Sequence, residues 1–349
     1  MKLALATLML LGATLASCGR SDMPATQMTV TGHGQSENSN LLSPSNAGTT
    51  LIDRIANSRD TTQFQGVRRV ELSFDDGALH RHLMLRERVS ADGHGAYAIE
   101  ALEVVEPQMS PSQRAVFLTL QSVRQGMNWR YRDFAIRDVP LFLQNYVTTD
   151  TGLTFDVAGH ACMQLKLERM DQSGSSYTLG VDGSTGLVLS SREETLPGLV
   201  VSEMTYESID FAPDLSGVAW HQSTNNERPL PIQGRLRREV GYEIRAPRNL
   251  PAGYQLLERT SLLHPQDGSS WVKATYGDGV ESLFFLDGGP IVGGNGIRSG
   301  VPEIQADLVE VTVAAPWTVA RGNLRSERVI SLGKVSEQDL VEMLRSAFE

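Results

Sequence analysis

The sequence predicts an α+β protein built on antiparallel sheets in two domains, on three observations. Apolar residues from about 67 to 332 fall mostly in period-two runs joined by Gly-, Asp- and Pro-containing turns, the pattern of a meander. Helical spacing is confined to three stretches, near 49–58, 110–125 and 336–348. Residues 213–238 hold Pro213, Pro229 and Pro231 with few apolar residues and read as a linker. At 349 residues the chain is too long for one small core, which fits a larger domain over 49–212 and a smaller one over 239–349.

Residues 1–17 read as an export signal: one charge, Lys2, then an apolar stretch from Leu3 to Leu11, then small residues. That stretch is shorter than the about 20 residues a spanning helix needs. Leu15-Ala16-Ser17-Cys18 resembles the lipobox of bacterial lipoproteins, cut before a cysteine whose thiol carries diacylglycerol, so Cys18 is the expected lipidation site. Each buried CH₂ of an acyl chain contributes about 0.8 kcal/mol, so two or three chains hold a protein firmly at a membrane. Gly19 stands where Asp would retain a lipoprotein at the inner membrane of a Gram-negative host, which implies the periplasmic face of the outer membrane. Residues 18–48, rich in Ser, Thr, Asn and Gly and without a period, read as a flexible tether. Its mean reach is roughly 30 Å.

Taken in order, Thr49–Ser58 reads as a short helix with Leu51, Ile52 and Ile55 at helical spacing. Val67–Phe74 alternates, with Val70, Leu72 and Phe74 on one face; Leu79–Val89 repeats this through Leu83 and Leu85, across the hairpin signal Asp75-Asp76-Gly77-Ala78. Tyr97–Val105 is a third strand, ended by Glu106-Pro107. Ser110-Pro111-Ser112-Gln113 resembles a capping box with proline in the first turn, opening a helix to about Gln125 that buries Val116, Phe117, Leu120 and Val123. A looser aromatic segment follows through Trp129, Tyr131, Phe134, Phe142 and Tyr146. From Thr154 strands resume: His160, Cys162, Gln164 and Lys166 alternate with Ala161, Met163, Leu165 and Leu167. Tyr177–Val181, Leu187–Ser191 and Val200–Phe211 complete a meander, turned by residues 182–186 and by Leu196-Pro197-Gly198. Beyond the linker, Leu256-Leu257, Trp271–Tyr276, Val280–Leu286, Leu308–Val313 and Arg328–Leu332 read as strands, with Gly277-Asp278-Gly279 as a turn and 288–300 as a loop. Ser336 starts a last helix burying Leu340, Leu344 and Phe348.

The formal net charge is −10, and loss of residues 1–17 leaves 30 basic against 41 acidic residues, a balance unsuited to non-specific binding of nucleic acid or anionic lipid. With Cys18 lipidated, Cys162 is the only other cysteine, so no intramolecular disulfide forms, and its thiol reads as inert within a sheet. Neither Gly-x-Ser-x-Gly nor His-Glu-x-x-His occurs, which speaks against a hydrolase. The run Gly293 to Gly300 has Ser299 where a nucleotide-binding pattern needs its third glycine. His80 and His82 share a strand face and His94 is near, but Arg81 and Arg86 add positive charge and no Cys or paired carboxylate completes a metal site. Asp75-Asp76 and Glu193-Glu194 point to opposite strand faces and read as turn and solvated-face residues, not acid–base couples. No cofactor or metal is expected. Trp129, Tyr131 and Phe134 would suit a lid over an apolar cavity and are the candidate ligand-binding residues.

Two groups of motifs resemble the RseB/MucB family, periplasmic regulators of the envelope-stress sigma factor. Val157-Ala158-Gly159-His160, the run Tyr177 to Asp182 and the run Thr185 to Ser191 stand where the family reads roughly V-A-G-R, Y-x-L-W-L-D and T-G-L-L-L-R-S. Leu250-Pro251-Ala252-Gly253-Tyr254 and the run Tyr276 to Phe284 correspond to L-P-x-G-F and Y-S-D-G-L-x-S-x-S-V-F. Phe64-Gln65-Gly66 sits where the family has Tyr-Arg-Gly or similar. Order and spacing cover most of residues 50–345. The resemblance implies a larger domain like the lipoprotein carriers LolA and LolB: an unclosed antiparallel β-barrel with plugging helices and an apolar cavity. It implies a smaller domain of a sheet with a helix. It also implies a non-enzymatic protein that binds the periplasmic part of a membrane-bound anti-sigma factor until lipid or mislocalised lipopolysaccharide relieves the block. Family members are usually soluble after export, so an anchor at Cys18 is a departure; a LolB-like lipid or lipoprotein carrier at the outer membrane is the competing reading. The motifs look like turns and strand starts, so no binding residue carries over.

Overall fold

The computed structural model describes residues 46–75, 80–195, 198–222, 227–231, 240–263, 269–290, 308–314, 316–325 and 327–349. The signal, Cys18 and the tether as far as residue 45 lie outside them, as do residues 76–79 and 196–197 of two expected turns and loop residues 291–300.

Alternation builds the first sheet. After helix α1 (Asn46–Thr61) come β1 (Gln63–Asp75), β2 (His80–Asp92) and β3 (Tyr97–Glu106) as one meander. β4 (Tyr146–Val157), β5 (His160–Arg169), β6 (Ser175–Asp182), β7 (Val188–Thr195) and β8 (Leu199–Asp210) form a second. β8 pairs antiparallel with β1, giving the order β3-β2-β1-β8-β7-β6-β5-β4. The edges β3 and β4 do not pair with each other, so this is an unclosed antiparallel barrel. One face is apolar: Phe64, Val70, Leu72, Leu83, Leu85, Val89, Leu189, Met204 and Tyr206 are buried together. Gly66 is required where β1 passes β8, because a Cβ there would lie 2.8 Å from the Tyr206 ring.

The segment between the two edge strands plugs the sheet. α2 (Pro111–Met127) opens on a true capping box, Ser110 with Gln113. It runs into a π-helical turn, Asn128–Arg132, and then α3 (Val139–Asn145), capped by Asp138. The expected apolar face of α2 is buried only in part: Phe117 packs on the first sheet's core and Leu120 is half-buried. Val116 and Val123 are exposed, whereas Gln121, Arg124, Gly126 and Met127 are buried, because only the carboxyl-terminal half of α2 is covered by its neighbours. Strand β5 also departs from strict alternation: Cys162 is buried in phase with neither Leu165 nor Leu167. Cys162 lies on the opposite face from Leu165 and Leu167 and is buried there with Val157, Leu187 and Leu189, so each face of β5 is covered over part of its length.

The second sheet has the order β13-β14-β15-β12-β11-β10-β9. Its strands are β9 (Arg228–Leu230), β10 (Gln255–Leu263), β11 (Ser270–Gly277), β12 (Ser282–Pro290), β13 (Val309–Ala314), β14 (Trp317–Leu324) and β15 (Glu327–Gly333). β9 falls inside the expected linker, where Arg228–Leu230 adds an edge strand to β10. β14 has no expected counterpart: Arg321, Gly322 and Asn323 interrupt its pattern, yet it lies between β13 and β15. β11 and β12 are buried on both faces, which explains the unbroken apolar run Leu283–Leu286. One face carries α4 (Glu337–Ser346), whose Leu340, Met343 and Leu344 pack with Phe348 on Tyr276, Leu283 and Phe285. The other face buries Trp271, Phe284, Trp317 and Leu332 against Met127 at the end of α2.

Candidate functional site

Two buried polar clusters occupy the space between the sheets and the plug. The first grows from strand register. Arg68 on β1 stands opposite Glu87 on β2, both in phase with the apolar face. The Arg68 guanidinium donates to Glu87 at 3.0 Å and to Asp133 at 2.8 Å; Arg132 donates to the same Glu87 carboxylate at 2.7 Å and to Asp133 at 2.9 Å. Two arginines thus hold two carboxylates in a closed square that links the β1–β2 hairpin to the plug. Burial disfavours ionisation of Asp133, but Arg132, Arg68 and Arg59 outweigh it and keep the carboxyl below its usual range. Arg132 and Arg68 do the same for Glu87. Arg59 from α1 bonds the Trp129 carbonyl and stacks on the Trp129 ring, and burial lowers its pKa to about 10.

The second cluster joins the sheets. The turn after β11 carries Asp278, which caps itself by accepting the N–H groups of Val280 and Glu281. Its other oxygen accepts the Tyr146 hydroxyl at 2.8 Å and pairs with Arg169 of β5. Burial outweighs these contacts and raises the Asp278 pKa. Arg169 also donates to the Ala252 carbonyl, and Asn145 donates to the carbonyls of Gly253 and Asp278. Gly279 lies against the α3 backbone at Leu141 and Phe142 with a φ of 103°, so a side chain there would meet both. Beside this knot, Tyr177 of β6 donates to Glu281 at 2.6 Å. Lys334 lies 3.1 Å from Glu281 and 3.1 Å from Glu193 of β7, and also donates to the Arg132 carbonyl. Burial raises Glu193, whereas Lys334 and Arg137 overcome burial at Glu281 and lower it. A cavity of about 10 Å³ beside Arg132, Glu193 and Lys334 is near the lower limit for one water.

The candidate ligand residues do not gather. Trp129 stacks on Tyr97 in the first sheet's core, Phe134 packs on Tyr177 among the residues around α1 and α3, and Tyr131 meets Phe284 of the second sheet edge to face. Each plugs a different seam. Phe64, Tyr97, Trp129 and Tyr206 pack together in the first sheet's core. His82 lies 3.0 Å from Glu106 and 3.4 Å from Glu71. Among the described residues no group of three His, Cys, Asp or Glu is placed to hold a metal ion. Burial pushes the Cys162 thiol up to about 11, as expected of an inert thiol. Glu193, read as a surface residue, is instead buried at the junction while Glu194 lies on the other face.

Sequence reasoning passed over Arg68, Glu87, Arg132, Asp133, Arg169, Asp278, Glu281 and Lys334. A signal existed for the first two, since each is a charge in phase with an apolar strand face. Lysine scarcity was another: the chain has four lysines, and Lys273 and Lys334 are buried in ion pairs. Arg132 and Asp133 lie in an aperiodic segment and carried no signal.

The class that fold and site define is an unclosed antiparallel half-barrel, plugged by helices and tied through buried charges to a second sheet with its own helix. No family model and no curated protein matches the chain. Among solved structures, it is similar to MucB in a complex of Pseudomonas aeruginosa MucA and MucB, at 16% identity and a TM-score of 0.49, covering 86% of this chain and 97% of that one. It is similar to MucB solved alone at 15% identity and a TM-score of 0.47, covering 86% and 98%. A LolA-superfamily protein from Nitrosomonas europaea is similar over 47% of this chain and 93% of its own, at 12% identity and a TM-score of 0.20.

Proposed function

We propose that the chain is an exported, non-enzymatic binding protein of the RseB/MucB kind, anchored through Cys18 to the outer membrane. It holds the periplasmic segment of a membrane-bound partner such as an anti-sigma factor, and a lipid or lipoprotein signal releases that segment. Residues 49–212 and 239–349 are its two domains, joined by 213–238. The observation that carries this reading is the convergence of the family-like motifs. Tyr177, the Ala252 and Gly253 carbonyls, Asp278 and Glu281 come from three stretches far apart in sequence, and all meet at the one buried junction. Motifs that read singly as turns therefore jointly encode how the two sheets sit together, a constraint a binding frame needs. The charged groups there are engaged with one another, which suits a scaffold better than catalysis. The LolB-like carrier is the weaker reading, because the second, seven-stranded sheet is extra to a single carrier domain.

The test is purification of the tagged full chain from its host's envelope in detergent. Co-purification of a membrane protein with an exported tail, together with loss of palmitate labelling in Cys18→Ala, supports the proposal. Recovery with lipid and no polypeptide supports the carrier instead.

A further inference from the structure

The unexpected exposure on α2 has a direction. Val116, Leu120, Val123 and Met127 recur at i, i+4, i+7 and i+11, one helical stripe. Met127 is buried beneath the second sheet, Leu120 is half-buried, and Val116 and Val123 are 41% and 42% exposed. The stripe thus runs out of the protein core into solvent over about 10 Å, two turns of helix. Beside it stands Arg124, 8% exposed, whose side chain makes no hydrogen bond or ion pair among the described residues. Neighbouring polar groups on the helix are bonded: Asn128 donates to Gln121, and Gln125 accepts the N–H of Ile99. Burial without a compensating charge also depresses the Arg124 pKa. Its nitrogens are not fully sealed from solvent. α2 contains Arg114 and Arg124 and no acidic residue, in a chain of net charge −10.

A nearly buried guanidinium without a counter-charge is costly, and a carboxylate arriving from outside the helix lowers that cost. We propose that α2 is the docking helix for an amphipathic polypeptide segment, whose apolar side chains cover Val116, Leu120 and Val123 and whose carboxylate pairs with Arg124. This rests on the reading of the chain as a partner-binding protein and adds the surface and its chemistry. Two exposed turns match the i, i+3/i+4, i+7 anchors of a helix laid against a groove. A membrane surface fits less well, because interfacial helices are rich in Lys and Arg on their polar face, whereas Arg114 stands there among the uncharged Ser112, Gln113, Thr119 and Ser122.

The experiment places photoreactive benzoylphenylalanine at 116, at 123 or, as a control, at exposed Leu153, in the full chain within the host envelope. Adducts from 116 and 123 are expected to map to a polypeptide segment with Asp or Glu among apolar residues, with none from 153. Arg124→Met is expected to cut the adduct yield at least tenfold while raising the free protein's Tm by about 2–4 °C. Adducts to lipid or to a second copy of this chain overturn the proposal. So does an Arg124→Met variant with a lowered Tm and an unchanged yield, which would make Arg124 a structural residue. A partner that co-purifies but crosslinks only at 153 overturns the surface and leaves the function standing; no partner in either experiment overturns both.

Discussion

Asp287 is a single residue whose titration the fold displaces. It is fully buried at the end of β12, where its carboxylate accepts the backbone N–H groups of Arg245 and Gly289. Burial outweighs both bonds and raises its pKa to about 6, against 3.8 for an ordinary aspartate. Between those values the folded state binds more protons than the unfolded one, so this group's contribution to stability falls as pH rises from about 4 to about 6 and is constant above. Asp287→Asn removes that titration. Urea denaturation across a pH series is expected to show the variant gaining on the wild type from pH 4 to 6, with a flat difference from pH 7 to 9. A difference independent of pH over the lower window would contradict the burial argument.

At the scale of elements, α2 separates what sequence encodes from what packing decides. Its start was legible, because capping is local chemistry: Ser110 accepts the Gln113 N–H, and the Gln113 side chain accepts the Ser110 N–H. Ser110→Ala is expected to cost about 1 kcal/mol, read as faster amide exchange in the first turn of α2 and little change at its buried end. Exchange unchanged in that turn would mean the cap does not hold the helix. Which face α2 buries was legible only in part: Phe117 packs on the core as its spacing suggests, but Val116 and Val123 do not, since coverage depends on where the second sheet meets Met127. The same division recurs in strands. Val70, Leu72 and the β1–β2 hairpin followed from alternation, whereas the burial of Cys162 depends on which parts of the chain cover the second face of β5. β14 was missed because a central strand tolerates Arg321 and Gly322 once both its neighbours pair with it. The buried salt-bridge square was half legible: Arg68 and Glu87 broke an apolar phase, but Arg132 and Asp133 sit in a π-helical turn and its cap that no pattern announces.

Across the whole molecule, the two sheets are joined by charges rather than by apolar contact alone. Lys334 from the second sheet holds Glu193 of the first and Glu281 of its own. Lys334→Met leaves two buried carboxylates facing each other without the cation paired to both, only Arg137 still acting on Glu281, at an expected cost of about 3–5 kcal/mol at neutral pH. With the cation gone, burial and mutual repulsion raise both carboxyls, so the folded state binds extra protons and the loss shrinks as pH falls. Denaturation at pH 5 and pH 8 is expected to show the smaller loss at pH 5, with the two sheets unfolding less cooperatively at pH 8. Equal losses at both values would mean the lysine does not neutralise the pair. Two sheets tied together by buried charges suit the proposed partner-holding function. Native mass spectrometry of the full chain, purified from its host, tests it most directly. The protein is expected bound to one polypeptide segment, with no lipid beyond the acyl chains carried on Cys18; non-covalent lipid with no polypeptide attached would contradict that.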